Sequence, residues 1–298
     1  MQSRTKMTNS SSTMPDRRGL HIDLDGHRCL LKWHRGRRFA GDIAFTQSRI
    51  VEGMAIGASM EIDLQRYGGD GFVVLHDEDL HPATTGKGPL ISATREDFAH
   101  LRLRDGDGNR TAHPILLIEY LAALIRDAGY SPEAVLQLDL KAPSSSIGEG
   151  DIAAFAKAIA PVARSVILSA GDAEAVERLS QAVPDMPIGY DPCHNGASER
   201  LRENRDFAGF VACAIAASPR AEMIYLAHEL ILFADAEGFD LIGAFQAHGL
   251  EVDAYTIRAA TKEILQKVMR LLALRVDQIT TDDPVGLEAL VAAENSGK

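Results

Sequence analysis

Six short motifs carry the side chains that could do chemistry: His34-Arg35-Gly36, Glu61-Ile62-Asp63, His76-Asp77, Asp139-Leu140-Lys141, Tyr255-Thr256 and Thr281-Asp282. In an extended strand, residues two apart share a face, so Glu61 points with Asp63, and Asp139 with Lys141. Carboxylates turned into a protein interior are costly unless paired or bound to a cation. An all-oxygen set of three suits Mg²⁺ or Ca²⁺ rather than zinc, and nothing in the residues separates those two ions. Histidine, with an unperturbed pKa near 6.5, exchanges protons near neutrality. Arg35 and Lys141 bring the charge that would hold an anion. Taken singly, each motif is as well read as a salt bridge or a satisfied polar residue. Their shared position at strand ends is the stronger signal. Thr84-Thr85-Gly86-Lys87-Gly88 lacks the spacing of a phosphate-binding P-loop, so no nucleotide site is read there.

The elements that must position these groups follow from short apolar runs alternating with longer amphipathic stretches, the pattern of a parallel α/β fold. Strands are predicted at 29–34, 59–64, 73–76, 135–140, 165–169, 187–190, 223–226, 252–257 and 276–281. Helices are predicted near 45–57, 114–128, 150–160, 172–182, 199–214, 239–248, 260–274 and 284–293. Nine strands exceed an eightfold barrel by one. Residues 65–72, rich in glycine, are too few for a parallel crossover but ample for a hairpin. The run at 73–76 should therefore return antiparallel to the Glu61/Asp63 strand. The remaining eight close as a (β/α)₈ TIM barrel, whose active sites lie at the C-terminal ends of the strands. The predicted organisation is a flexible tail over 1–20 and one barrel domain over 21–298, with an insertion over the mouth at about 65–112.

Composition narrows the partners. The 298 residues carry 31 Lys+Arg and 42 Asp+Glu, a formal charge of −11, which disfavours a nucleic-acid or anionic-membrane surface. A local cation with Arg35 and Lys141 can still make one small anion welcome. The three cysteines, Cys29, Cys193 and Cys213, have neither metal spacing nor a disulfide pattern, which fits a reducing compartment. The first twenty residues lack an apolar core for export, and no run of eighteen apolar residues occurs. A cytoplasmic location is expected. The oligomeric state is not readable.

The ordered motifs resemble the glycerophosphodiester phosphodiesterase family. The resemblance runs from His34-Arg35-Gly36 through Glu61-Ile62-Asp63, Asp70-Gly71, His76-Asp77, Thr84-Thr85-Gly86, Asp139-Leu140-Lys141 and Tyr255-Thr256 to Thr281-Asp282-Asp283-Pro284. It implies a phosphodiesterase barrel of the phosphatidylinositol-phospholipase-C-like type with a small insertion after His76-Asp77. It implies Glu61, Asp63 and Asp139 as ligands of one divalent cation, His34 and His76 as the acid/base pair, and Arg35 and Lys141 as phosphate partners. The implied substrate is a small glycerophosphodiester or related sugar phosphodiester, cleaved to an alcohol and a phosphomonoester through a cyclic phosphate. Three positions depart from the family pattern. Asp139 replaces a glutamate, as in the related sphingomyelinase-D-like toxins. Ala40-Gly41-Asp42-Ile43 stands where P-E-N-T is usual, and Tyr255, a candidate substrate contact, replaces a tryptophan. These changes leave open a bulkier sugar-phosphodiester (agrocinopine-like) substrate, or a lyase that stops at the cyclic phosphate. A barrel that binds without chemistry is disfavoured, because binding alone needs no pair of proton-transfer groups.

Overall fold

The computed structural model describes residues 16–129 and 131–296. Its strands are β1 His21–Leu24, β2 His27–Trp33, β3 Ser59–Arg66, β4 Phe72–Val74, β5 Arg102–Arg104 and β6 Arg110–Pro114. They continue with β7 Val135–Leu140, β8 Val166–Ala170, β9 Ile188–Tyr190, β10 Met223–Ala227, β11 Glu251–Ile257 and β12 Gln278–Thr281. The helices are α1 Gln47–Ile56, α2 Arg95–His100, α3 Ile118–Asp127, α4 Glu149–Ile159, α5 Ala173–Gln181 and α6 Ala197–Asn204. After them come α7 Phe207–Ala217, α8 His228–Ala236, α9 Leu241–Gln246, α10 Lys262–Ala273 and α11 Pro284–Ser296.

Parallel pairing runs β2-β3-β7-β8-β9-β10-β11-β12 and closes from β12 back to β2, making the expected eight-stranded barrel. The ninth predicted strand is β4, which returns antiparallel on β3 with Leu64 opposite Val74. Gly71 makes that return possible at a φ of 116°, a conformation open to few other residues. Between β4 and α3 the chain forms α2 and the β5–β6 hairpin.

Other details depart from expectation. Residues 1–15 of the predicted tail lie outside the described residues. Within 16–20, however, Gly19 and Leu20 are buried: the Trp33 indole donates to the Gly19 carbonyl at 2.7 Å and Leu31 N to the Leu20 carbonyl. Packed chain therefore starts before residue 21, and β1 pairs with β2 outside the barrel. The helix predicted over 199–214 is two, because Arg205 turns left-handed (φ 54°) and Asp206 caps α7 through Gly209 N. Helix α8 was not anticipated: its apolar residues form a run rather than a helical stripe.

Strand parity decides where each side chain goes. On β2, Cys29, Leu31 and Trp33 are fully buried against the helix layer, and Lys32 turns into the barrel. On β3, Met60, Ile62 and Leu64 pack with Ile50 and Met54 of α1, while Glu61 and Asp63 take the inner face. The apolar core thus lies between strands and helices, and the barrel interior is unusually polar. Lys32, 2% exposed, pairs with the fully buried Asp253 at 3.1 Å. Thr280 donates to that carboxylate at 2.7 Å, and the Lys32 ammonium sits 4.3 Å over the Tyr225 ring.

Breaking one partner of such a pair strands a buried charge, at a cost of about 3–5 kcal/mol. Lys32→Met should therefore lose roughly that much stability in urea denaturation, and Lys32→Met/Asp253→Leu should recover most of it. A single variant within about 1 kcal/mol of wild type would mean that Asp253 does not need its ammonium.

Candidate active site

The C-terminal mouth of the barrel opens into a cavity of about 350 Å³ lined by His34, Arg35, Glu61, Asp63, His76, Asp139 and Lys141 among others. All seven residues picked out for metal, acid/base and phosphate roles are therefore brought together, and Tyr255 lines the same cavity.

Parallel register sets Asp63 directly beside Asp139 on the neighbouring strand. One oxygen from each of Glu61, Asp63 and Asp139 lies within 4.8 Å of the others. Burial pushes the Glu61 carboxyl well above the usual range, helped by Asp63 and Asp139. Asp139 is raised for the same first reason. Lys141 answers this negative charge, its ammonium 2.9 Å from Asp63 Oδ1 and 2.5 Å from Asp139 Oδ2. Burial alone would lower the Lys141 pKa, but Asp139 and Asp63 outweigh it and raise it. Ser169 Oγ donates to the other Asp139 oxygen at 3.1 Å, and Gln137 Nε2 donates to Ser169 at 2.8 Å. Gln137 also accepts from Lys32, so the barrel floor is hydrogen-bonded to the carboxylate cluster.

Arg35 holds the opposite edge. It adopts the left-handed region at φ 56°, rare for a residue with a Cβ, in the short 3₁₀ turn His34–Gly36. That twist lets its amide donate to Glu61 Oε2 at 2.8 Å and places its guanidinium Nε 3.2 Å from Asp63 Oδ2. The angle there is wrong for a hydrogen bond, and both atoms are buried without one. A buried carboxylate oxygen without a hydrogen bond, within reach of two more carboxylates, suits a hard cation. The donor set fits Mg²⁺ or Ca²⁺.

The two histidines are built alike. His34 Nδ1 lies 2.6 Å from Asp282 Oδ1, and His76 Nδ1 lies 2.7 Å from Asp77 Oδ1, which leaves each Nε2 for the cavity. Gln65 Nε2 fixes the His76 carbonyl at 2.8 Å. Burial lowers the His34 pKa and outweighs the opposing pull of Asp282. Asp282 itself is depressed: burial would raise it, but His34 and Arg37 prevail.

The two acids of Asp282-Asp283-Pro284 have different jobs. Asp283 does cap α11, accepting from Gly286 N at 3.0 Å, whereas Asp282 is the partner of His34. His194, in the loop after β9, also lines the cavity, its Nε2 2.9 Å from Asp191 Oδ2. That carboxylate raises the His194 pKa. The only sequence signal was its place just past a strand end. Burial, then Asp191 and Cys193, raises the Tyr255 phenol.

The barrel gathers two carboxylate-held histidines, three clustered carboxylates, an arginine and a lysine on one rim, where TIM-barrel enzymes carry their active sites. Residues 52–285 match the glycerophosphoryl diester phosphodiesterase family, and the chain belongs to that family of phosphoric diester hydrolases. The fold is shared with a phosphodiesterase from Oleispira antarctica solved with the product sn-glycerol-3-phosphate (18% identity, 88% of this chain and 96% of that one, TM-score 0.63). It is shared too with a glycerophosphodiester phosphodiesterase from Agrobacterium tumefaciens (18%, 88% and 99%, TM-score 0.61). A glycerophosphoryl diester phosphodiesterase from Parabacteroides distasonis is similar over 92% of this chain and 90% of its own (18%, TM-score 0.61). No curated protein matches the sequence significantly. No helix among the described residues is long and apolar enough to cross a membrane.

Proposed function

We propose that the protein hydrolyses a small glycerophosphodiester, or a related sugar phosphodiester, with His34 as base, His76 as acid and one divalent cation on Glu61, Asp63 and Asp139. The observation that carries this reading is the pair of carboxylate-held histidines facing a cavity that also holds the three clustered carboxylates. A phosphodiester is already anionic, so attack on phosphorus needs charge neutralised and the leaving alkoxide protonated. The cation would supply Lewis acidity to a phosphoryl oxygen. Arg35 and Lys141 supply the remaining positive charge.

Burial disfavours the protonated form of His34, which favours it as the base. Its Nε2 takes the proton of a substrate hydroxyl next to the ester, and that oxygen bonds to phosphorus in line with the departing group. The phosphorus–oxygen bond to the alcohol breaks as His76 Nε2–H donates its proton to the alkoxide, leaving a cyclic phosphate. In the second half His76 takes a proton from water and His34 returns one to the ring oxygen, giving the phosphomonoester. Tyr255 would lie against the substrate's organic group.

Glycerophosphoethanolamine, glycerophosphocholine and a sugar phosphodiester should be cleaved with Mg²⁺ or Ca²⁺ present, and cleavage should stop in EDTA. Absence of chelator-sensitive turnover on all of them would overturn the reading. Asp139 in the D-x-K arrangement favours a second reading, a lyase that releases the cyclic phosphate. Phosphorus NMR decides between them, since hydrolysis converts the cyclic resonance to a monoester and the lyase leaves it standing.

A further inference from the structure

We propose that His194 selects the departing alcohol of the diester, accepting a hydroxyl-rich group such as glycerol, a sugar or inositol over a plain alkyl. This rests on the diester reading above. In the ring of eight strands, β9 stands opposite β2, so the loop bearing His194 faces His34 and Arg35 across the mouth. A phosphate held on the His34–Arg35 side can send one ester arm across that gap. Three cavities meet at His194: the central one, a chamber of about 430 Å³ against α6 and α7, and a cleft of about 530 Å³ beside Lys141. An arm crossing the mouth therefore has room along surfaces that this imidazole borders.

The wall of the central cavity is polar, whereas the chamber against α6 and α7 adds Leu201 and Phe210. Near His194 the central cavity presents Asp191, Tyr255, Arg258 and Glu229, and no leucine, isoleucine, valine or phenylalanine lines it. Donors and acceptors without hydrocarbon suit hydroxyl groups, and leaving such groups unpaired penalises an alkyl arm. The imidazole is also held in one place. Asp191 fixes Nε2, and the other ring nitrogen has no partner among the described residues. The ring lies on Gly171, just after β8, where an added methyl would overlap the imidazole and come within 2.9 Å of its Cβ. Gly171 does not have a positive φ, so the backbone there does not demand glycine and the ring does.

The test compares two diesters that share the glycerophosphate half: glycerophosphoinositol and the ethyl ester of glycerophosphate. His194→Ala should raise KM for the inositol diester about tenfold, the loss of one hydrogen bond to substrate, with kcat within about twofold for both and KM for the ethyl ester nearly unchanged. Gly171→Ala should reproduce that pattern by displacing the ring. In the His194→Ala background it should add little, because the ring overlap is gone and only the 2.9 Å contact with the retained Cβ is left. Equal changes for the two substrates, or a fall confined to kcat, would overturn the assignment of His194 and leave the diester reading intact. Wild-type protein that cleaves neither substrate would overturn both.

Discussion

Asp63→Asn should abolish the response to divalent cations and lower kcat by about 10³, the order of effect seen when one charge-stabilising group is lost from a preorganised site. Asp63 is 1% exposed, and its Oδ2 is buried without a hydrogen bond, so its loss should tell directly on a cation held by the cluster. Asparagine keeps the volume and a carbonyl oxygen for Lys141, which also retains Asp139 at 2.5 Å. The fold should persist. Wild-type Tm should rise with Mg²⁺ or Ca²⁺, because an ion that binds only the folded state stabilises it, and the variant's should not. The cation-free protein adds a signed pH test. The folded-state pKa of Glu61 is raised by burial and by Asp63 and Asp139, so the native state binds the proton more tightly than the unfolded chain. That contribution is fully present below the ordinary glutamate value of 4.5 and is lost as pH climbs through the raised one. Saturating cation should flatten or reverse the slope, since bound ligands are deprotonated and affinity grows with pH. A cation-dependent Tm shift that survives in Asp63→Asn would show that the ion sits elsewhere.

The site was legible where chemistry and strand ends coincide. Glu61-x-Asp63 and Asp139-x-Lys141 betray themselves because two charged residues on one face of a strand have few reasons to be there. The barrel was legible because residues 65–72 are too short for a crossover, which demoted one strand to a hairpin. Less of the interior was read than the sequence allowed. Stepping back two residues from His34, Asp139 and Tyr255 lands on Lys32, Gln137 and Asp253, all of which take the inner face. Parity alone would have found the polar floor. Parity reaches neither His194 nor the pairing of Asp282 with His34. His194 lies in the loop after β9, three residues from its partner Asp191, and only closure of the ring brings Asp282 beside His34. The split between α6 and α7 was hidden for a different reason: it depends on one left-handed arginine, a conformation that composition does not announce.

His34→Ala should lower kcat by about 10²–10⁴, the range for removing a positioned general base, with little loss of stability. Stability should hold because Asp282 keeps Arg37 at 2.6 Å and is not left as a bare buried charge. The pH profile separates a base from a merely structural imidazole. Activity requires neutral His34, so kcat/KM should fall on the acid side as that ring protonates, below the ordinary histidine value because burial disfavours the cation. Asp282 opposes the shift by stabilising the imidazolium. Asp282→Asn should therefore move the acid limb to still lower pH, and it should lower kcat as well, since the hydrogen bond that aims Nε2 at the cavity is weakened. His76→Ala should also cost turnover, but it should leave the acid limb in place and affect substrates with good leaving groups, such as nitrophenyl esters, much less. That contrast follows from the proton count: a nitrophenolate departs without a donated proton, whereas the attacking hydroxyl must still lose its own. If the acid limb stays fixed in Asp282→Asn, or the nitrophenyl ester rescues His34→Ala instead of His76→Ala, the two roles are reversed.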